Sequence, residues 1–293
     1  MADHLPIPAI VNAAAGTAAA AREALDVSGA FEVHEVPPAD IADEVRRLVD
    51  GGAKRILVAG GDGTIATAAA ALLDTNTELA ILPGGTLNHF ARDLGISTVA
   101  AEAVEVAANP GTRKVDVGVV NGRVFLNTSS VGGYVRFVRT RERLERHLGY
   151  RAASFLAAVR MAATVRRMGV EIEVDGQARL FRTPLVFIGV GERELRFPVL
   201  GRRVHDGKRG LHVMVVKGRS RLRFIAIGAT AVLRGLDAVS RTGHFDDVIA
   251  DRLRITTRGA GWVAVDGEVA LLATPLDYEL RCGALSVVCP PPS

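Results

Sequence analysis

The first third of the chain alternates between two hydrophobic periods. Short, continuously apolar runs that end in glycine or proline are followed by stretches in which apolar residues recur every third or fourth position. "IPAIVNAAAG" (Ile7–Gly16) is a strand entering a small-residue turn, and "TAAAAREALDV" (Thr17–Val27) is a good helix former. "AFEVHEVPP" (Ala30–Pro38) alternates as a strand and stops at prolines, and "ADIADEVRRLVDGG" (Ala39–Gly52) is an amphipathic helix closed by glycine. "KRILVAGG" (Lys54–Gly61), "TIATAAAALLD" (Thr64–Asp74), "LAILPGG" (Leu79–Gly85) and "STVAAEAVEVAANPG" (Ser97–Gly111) continue the pattern as strand, helix, strand, helix. Such alternation predicts βα units and a mostly parallel sheet. The unbroken apolar strands predict that both faces of the sheet are covered.

From about residue 112 the pattern changes. "KVDVGVVNGRVFLNTSS" (Lys114–Ser130) reads as a hairpin-like pair around Asn121-Gly122, a strong two-residue turn signal. A long helical and basic region follows, from about Tyr134 to Met168. Short strands then return as "VEIEVDG", "ARLFRT", "PLVFIGV" and "GLHVMVV". A helical stretch covers about residues 221–236. "RLRITT", "GWVAVDGE", "LDYELRCG" and "LSVVCPP" close the chain as strands. The fold expected is α/β plus all-β: a Rossmann-like α/β domain over residues 1–120 and an antiparallel β-sandwich over 121–293. The last segment is a candidate to pack back on the first domain, and the cleft between domains is the default site.

Composition narrows the functional classes. Hydrophobic content of 48% and charged content of 23% are those of a soluble globular chain. No apolar run approaches the roughly 20 residues of a membrane span, and the start has no basic n-region of a secretory signal. Two cysteines, Cys282 and Cys289, read as reduced and packed, in a cytoplasmic setting. The formal net charge of +4 and pI near 9.4 favour an anionic partner. Aromatics are only 5%, without an aromatic and basic ribbon, so no nucleic-acid partner is expected.

The candidate chemistry lies in turns. "GGDGT" (Gly60–Thr64) stands where a strand hands over to a helix, and backbone N–H groups there form an anion cradle. Glycines let backbone approach phosphate and allow positive φ. Thr64 is placed to donate a hydroxyl hydrogen bond to phosphate or to cap the helix. Asp62 would repel a bare phosphate, and fits if Mg²⁺ stands between them or if it takes part in proton transfer. "PGGTLNHF" (Pro83–Phe90) repeats the layout of apolar run, glycines and threonine. A tight packing turn and a dinucleotide fingerprint are the competing readings. The second is weak, because the motif falls on the third βα unit and Glu78 follows too soon for a ribose carboxylate. The Gly-x-x-x-x-Gly-Lys-Ser/Thr loop and the protein-kinase motifs are absent.

"GGDGT" (Gly60–Thr64), "PGGTLNHFARDLGI" (Pro83–Ile96) and a late "DGE" (Asp266–Glu268) together resemble the diacylglycerol kinase catalytic family of bacterial lipid kinases, which is related to sphingosine and ceramide kinases. The resemblance in motif order and spacing extends from about residue 8 to 290. It implies an ATP-binding α/β domain and a C-terminal β-sandwich. It also implies that Gly60, Gly61, Asp62, Gly63 and Thr64 hold the ATP phosphates and Mg²⁺, with Thr86 and Asn88 as further nucleotide contacts. "NAAAG" (Asn12–Gly16) is similar to the family's Asn-Pro-x-Ser/Ala-Gly turn, with Ala13 in place of proline. By the same resemblance Glu268, with Asp266 beside it, is the base that accepts the lipid hydroxyl proton. The resemblance further implies that Asp62 and Asp116 belong to an acidic Mg-linked network, and that Asp206 in "HDGKRGLHV" (His205–Val213) is the candidate ligand of a structural Mg²⁺.

Three departures stand out. Ala66 and Thr67 replace the usual Asn-Glu after the glycine motif, and His89 stands where many members have aspartate. The expected activity is transfer of the ATP γ-phosphoryl to a lipid hydroxyl, diacylglycerol to phosphatidic acid first. A ceramide or sphingoid lipid kinase, a NAD kinase, and a catalytically weak nucleotide- or lipid-binding protein are the alternatives. The arginine-rich stretch Tyr134–Met168 is a candidate docking surface for an anionic membrane, and Arg193, Arg196, Arg202 and Arg203 form a second basic area. The expected location is cytoplasmic, peripheral on the inner face of the membrane, with a homodimer as a candidate assembly.

Overall fold

The computed structural model describes residues 6–109, 111–133, 167–196, 199–204, 206–216, 245–258 and 261–291, with scattered positions between 135 and 160. The chain divides into two compact units. One comprises Met1–Val117 with Arg281–Ser293, and the other Gly118–Leu280.

The first unit is α/β. Strands β1 (Ile7–Asn12), β2 (Phe31–Val36), β3 (Arg55–Gly60) and β4 (Glu78–Pro83) pair in parallel in the order β2-β1-β3-β4. Helices α1 (Ala18–Ser28), α2 (Ile41–Asp50) and α3 (Asp62–Leu72) connect them, and α4 (His89–Asp93) and α5 (Ala100–Ala108) follow. The end of the chain returns to this sheet, where Val287 pairs in parallel with Leu79. Apolar strands are buried through their length: Ile56, Leu57, Val58, Leu79 and Ala80 are all 0% exposed. Each such valine, leucine or isoleucine side chain contributes about 1.5–3 kcal/mol by leaving water. Helix α3 buries Thr64, Ile65, Ala68, Ala69 and Leu72, the one-sided stripe that a 3.6-residue period produces.

Strand order decides where a ligand can sit. The chain leaves β1 for β2 on one side, then crosses to β3 on the other. The carboxyl ends of β1 and β3 therefore flank a topological switch point, the usual crevice of open α/β sheets.

The second unit is antiparallel. Strand β5 (Thr112–Val120) enters it and pairs with β6 (Arg123–Phe125) across the Asn121-Gly122 turn. Strands β7 (Thr128–Gly132), β8 (Met168–Val174), β9 (Gln177–Thr183) and β10 (Leu185–Val190) follow. Then come the hairpin of β11 (Arg193–Arg196) with β12 (Val199–Arg203), and β13 (Leu211–Val216). Strands β14 (Phe245–Ala250), β15 (Arg252–Thr257), β16 (Gly261–Val265), β17 (Glu268–Leu272) and β18 (Leu276–Val288) complete the chain. One sheet has the order β14-β13-β10-β7-β16-β17. The other runs β9-β8-β15 and then the first residues of β18, Leu276–Glu279. A single core cluster draws on both sheets, with Val131, Ile188, Val213 and Val263 from one and Val170, Ile172, Leu253 and Tyr278 from the other.

The architecture is the expected α/β domain followed by an antiparallel sandwich. Several elements differ in detail. The last two expected strands are one continuous strand, β18, whose Leu276–Leu280 belongs to the second unit and whose later residues belong to the first. Helix α3 begins at Asp62 rather than Thr64, and α4 occupies a stretch that reads as a turn in the sequence. The helical stretch 221–236 and most of the basic stretch Tyr134–Met168 lie outside the described residues.

Candidate functional site

Three loops meet at the carboxyl ends of β1, β3 and β4. Asn12 closes β1 with an Asx turn, its Oδ1 accepting the Ala14 N–H at 3.0 Å. Its amide then donates to Thr64 Oγ1 at 2.8 Å, which joins the first loop to the start of α3. Thr17 Oγ1 donates to the Gly84 carbonyl at 3.0 Å, joining the first loop to the third. Gly84 N–H donates to the Gly60 carbonyl at 2.8 Å, joining the second to the third. The switch point is thus bridged by hydrogen bonds that a helix-and-strand pattern cannot reveal.

The positive φ expected of these glycines is not found, and a further reason for them is. None of Gly60, Gly61, Gly84 or Gly85 has positive φ. They are required because the loops touch. A Cβ on Gly60 would lie 2.6 Å from Thr64 Cγ2, and one on Gly84 would lie 2.4 Å from Thr17 Oγ1. A Cβ on Gly85 would lie 2.8 Å from Gly61 Cα and 2.9 Å from Asn88 Oδ1. Overpacking of this kind costs typically about 1–3 kcal/mol.

Asn88 has a defined structural task. It is left-handed, with φ 49° and ψ 47°, and 6% exposed. Its Oδ1 accepts the Gly85 N–H at 2.8 Å, and its Nδ2 donates to the Gly85 carbonyl at 2.8 Å. Both ends of the amide therefore close the loop, leaving Thr86 exposed at its tip. Thr64 is buried and accepts from Asn12, so its own hydroxyl proton is left to donate elsewhere. Asp62 is the first residue of α3, half-buried, and follows Gly61, which supplies no side-chain cap. The first-turn N–H groups of α3 thus have no capping side chain as partner, the condition in which a helix start attracts an anion. Gly16 is exposed with open space where a Cβ would sit. Asp116, also in this unit, accepts the Gly283 N–H at 2.8 Å and so tethers the returning chain.

In the second unit, Asp266-Gly267 is the two-residue turn of the β16–β17 hairpin. Both residues have positive φ, 45° and 88°, as a type I′ turn demands. Asp266 is more than a turn residue. Its Oδ2 accepts the Leu126 N–H at 2.6 Å, and its Oδ1 accepts those of Asn127 and Thr128, each at 2.9 Å. Its own N–H donates to the Thr128 carbonyl at 2.8 Å. Burial pushes the Asp266 carboxyl above its ordinary range, against the pull of the three N–H donors and the Arg193 guanidinium. Glu268, two residues on, is 60% exposed at its side chain and pairs with Arg123 at 2.8 Å. The two carboxylates of "DGE" are therefore unlike: one is an interior anchor and the other stands in solvent.

Comparison with known proteins identifies the lineage. Residues 6–120 match the family model of the diacylglycerol kinase catalytic domain. A protein of Bacillus subtilis (strain 168) named Diacylglycerol kinase is 31% identical over 223 residues, covering 73% of this chain and 70% of that protein. The chain belongs to the diacylglycerol kinase catalytic family. A Pseudomonas savastanoi pv. phaseolicola protein named Probable lipid kinase YegS-like is 34% identical over 157 residues, 51% of this chain and 50% of that protein. The chain thus aligns with about half the length of that relative. A crystal structure of a diacylglycerol kinase from Bacillus anthracis str. Sterne shares the fold with a TM-score of 0.71, 24% identity and 99% coverage of both chains. Another structure from that organism reaches a TM-score of 0.77 at the same identity and coverage.

Within this family frame, the remaining sequence candidates fall differently. His89 opens the short helix α4, with its side chain half-buried. Asp206 is exposed at φ 54°, and its neighbour His205 lies outside the described residues. Among the described residues, no group of three or more His, Cys, Asp or Glu side chains is placed to hold a metal ion. Arg193, expected in a second basic area, is 4% exposed and belongs to the interior of the second unit. The side chains of Arg196 and Arg202 lie outside the described residues. No helix among the described residues is long and apolar enough to cross a membrane. Sequence reasoning missed Thr17, whose only signal was its place before a helix, and it missed the burial of Arg193.

Proposed function

We propose that the chain is an ATP-dependent lipid kinase that phosphorylates a lipid hydroxyl, with diacylglycerol as the favoured acceptor and phosphatidic acid as the product. The observation that carries the reading is the loop junction at the switch point. Glycines there bring three backbone turns together, and an uncapped helix start faces the same edge of the sheet. Those features fit phosphate. Gly61, Gly63 and Thr64 would hold it through backbone N–H groups and the Thr64 hydroxyl, and Asn12 and Asn88 keep the loops in place. Asp62 fits a Mg²⁺ that arrives with the nucleotide, with Asp116 as a further carboxylate in the same unit. Mg²⁺ supplies neutralisation of phosphate charge when bound.

In this reading Glu268 accepts the acceptor hydroxyl's proton, and Asp266 holds the turn from which Glu268 projects. An exposed carboxylate suits a base that must meet an incoming lipid. The basic composition of the chain supports a lipid encountered at an anionic membrane surface from the cytoplasmic side.

The test is a phosphoryl-transfer assay with labelled ATP on diacylglycerol, ceramide and NAD, the lipids presented in neutral and in anionic vesicles. Diacylglycerol is expected to be labelled, faster on anionic vesicles. Asp62→Ala and Glu268→Ala are each expected to lower kcat by about 10²–10⁴-fold, the range typical of a positioned base or charge. Full activity in both variants would reject the site. Labelling of ceramide or NAD alone would reject the acceptor, and equal rates on both vesicle types would reject the anionic surface.

A further inference from the structure

Among the described residues of the second unit, Asn127 Oδ1, Ser130 Oγ, His212 Nε2 and Thr257 Oγ1 are buried without a hydrogen-bond partner. Ser130 and Thr257 carry hydroxyls, which rotate to suit their surroundings. His212 Nε2 faces the Asp247 carboxylate at 3.5 Å. Asn127 has neither recourse. Its carboxamide is planar, the residue is 5% exposed, and an acceptor buried without a donor is costly.

The backbone of Asn127 is fixed on both sides. Its N–H donates to Asp266 Oδ1 at 2.9 Å, and its carbonyl accepts the Val190 N–H at 3.0 Å. The segment it belongs to grips the β16–β17 turn at two points. Leu126, Asn127 and Thr128 hold Asp266 through their N–H groups, and Arg123 pairs with Glu268 at 2.8 Å. The orphaned acceptor is therefore tied to the turn that carries the proposed base. A base must stand at the hydroxyl that reacts, so a polar group tied to its turn is placed for what lies next to that hydroxyl.

We propose that Asn127 is a specificity-determining residue: its buried carboxamide hydrogen-bonds the ester group next to the reacting hydroxyl of the acceptor lipid. The identity of that lipid rests on the function proposed above. A carboxamide carries an acceptor and a donor side by side, and a half-turn about its last bond exchanges them. With Nδ2 turned inward it donates to an ester carbonyl. Diacylglycerol has such a carbonyl on the carbon next to the one that bears its free hydroxyl. The bound lipid thus supplies the partner that the protein lacks. A lipid with only methylene at that place leaves the carboxamide buried and unpaired, and a site that strands a polar group in this way rejects the wrong ligand strongly.

The experiment compares wild type and Asn127→Leu, as full chains, on dioctanoylglycerol and on its diether analogue, in which both ester carbonyls are replaced by methylenes. Wild type is expected to prefer the diester by about tenfold to a hundredfold in kcat/KM, the range of one stranded polar group. In Asn127→Leu the diester should fall to the level of the diether, with KM for ATP unchanged. Leucine is close in shape to asparagine and removes an atom that has no partner in the free protein, so the Tm of Asn127→Leu is expected at or above that of wild type. No preference in wild type, or one kept in full by Asn127→Leu, would overturn the contact. So would a markedly lower Tm in Asn127→Leu, since the carboxamide would then have a partner inside the protein. If wild type phosphorylates neither lipid, the activity proposed above fails and the contact is read from binding. Dioctanoylglycerol raising the Tm of wild type and not of Asn127→Leu would sustain it, and no rise in wild type would overturn it.

Discussion

Asn88 offers a test of the site's construction that separates two physical terms at one position. Asn88→Gly deletes both hydrogen bonds to Gly85 and keeps the left-handed backbone comfortable. Asn88→Ala deletes the same bonds and adds a Cβ at φ 49°. Each intramolecular hydrogen bond contributes a net of about 0.5–1.5 kcal/mol, so losing two costs about 2 kcal/mol. Alanine at positive φ is worse than glycine by about 1 kcal/mol, even after glycine's larger unfolded-chain entropy is counted. The expected losses are therefore about 2 kcal/mol for glycine and about 3 kcal/mol for alanine. Asn88→Asp keeps an acceptor for the Gly85 N–H, but sets a carboxylate oxygen against the Gly85 carbonyl at the 2.8 Å now bridged by an N–H donor. It should therefore fall at or below the glycine variant. Urea unfolding followed by far-ultraviolet circular dichroism measures the differences. Hydrogen exchange at the Gly85 amide reports the bond itself, with protection lost in the Gly and Ala variants and partly kept in Asp. If the glycine and alanine variants are equally stable, the left-handed argument is wrong. If neither loses more than about 0.5 kcal/mol, the magnitude of a typical surface change, the amide does not close the loop.

Two other outcomes follow from the same junction. Gly60→Ala drives a methyl to within 2.6 Å of the Thr64 side chain, which must rotate away from Asn12. It is expected to cost about 2–4 kcal/mol, combining overpacking with one lost hydrogen bond, and to raise KM for ATP more than it lowers kcat; unchanged unfolding would show that the loops have slack. His89→Asp restores the family's usual carboxylate and is expected to lower the Mg²⁺ concentration needed for half-maximal rate and to alter the pH–rate profile. A variant indistinguishable from wild type in both measurements would make His89 a packing residue.

Much of the first unit was legible in the chain. Parallel strands covered on both faces are written as unbroken apolar runs, and helices as one-sided stripes, because each element must hide its own apolar surface. The turn at Asn121-Gly122 and the hairpin at Asp266-Gly267 are legible because few residues adopt positive φ without strain. Glycine motifs were legible as motifs, but the packing reason for them was not. Gly60 and Gly85 read as room for a ligand, and in the fold they first make room for Thr64, Gly61 and Asn88. The distance between two loops from different βα units is a tertiary quantity with no local signature.

Charge was the least legible property. Arg193 reads as part of a basic area, and its side chain is taken into the interior of the second unit. Nothing in local spacing distinguishes Arg193 from its neighbours. The distinction comes from Gly189, which leaves room for the Arg193 stem, and from the Val190 carbonyl, which accepts its Nε–H. In the same way "DGE" contains two acidic side chains that look alike on paper. Strand pairing sinks the first onto three backbone donors and leaves the second exposed beside Arg123. The sequence by itself determined the elements, the order of the motifs and the family, because those depend on local period and residue type. Which polar groups are anchors and which are free to act was decided only by the tertiary structure, because burial and hydrogen-bond partners belong to residues brought together from distant parts of the chain.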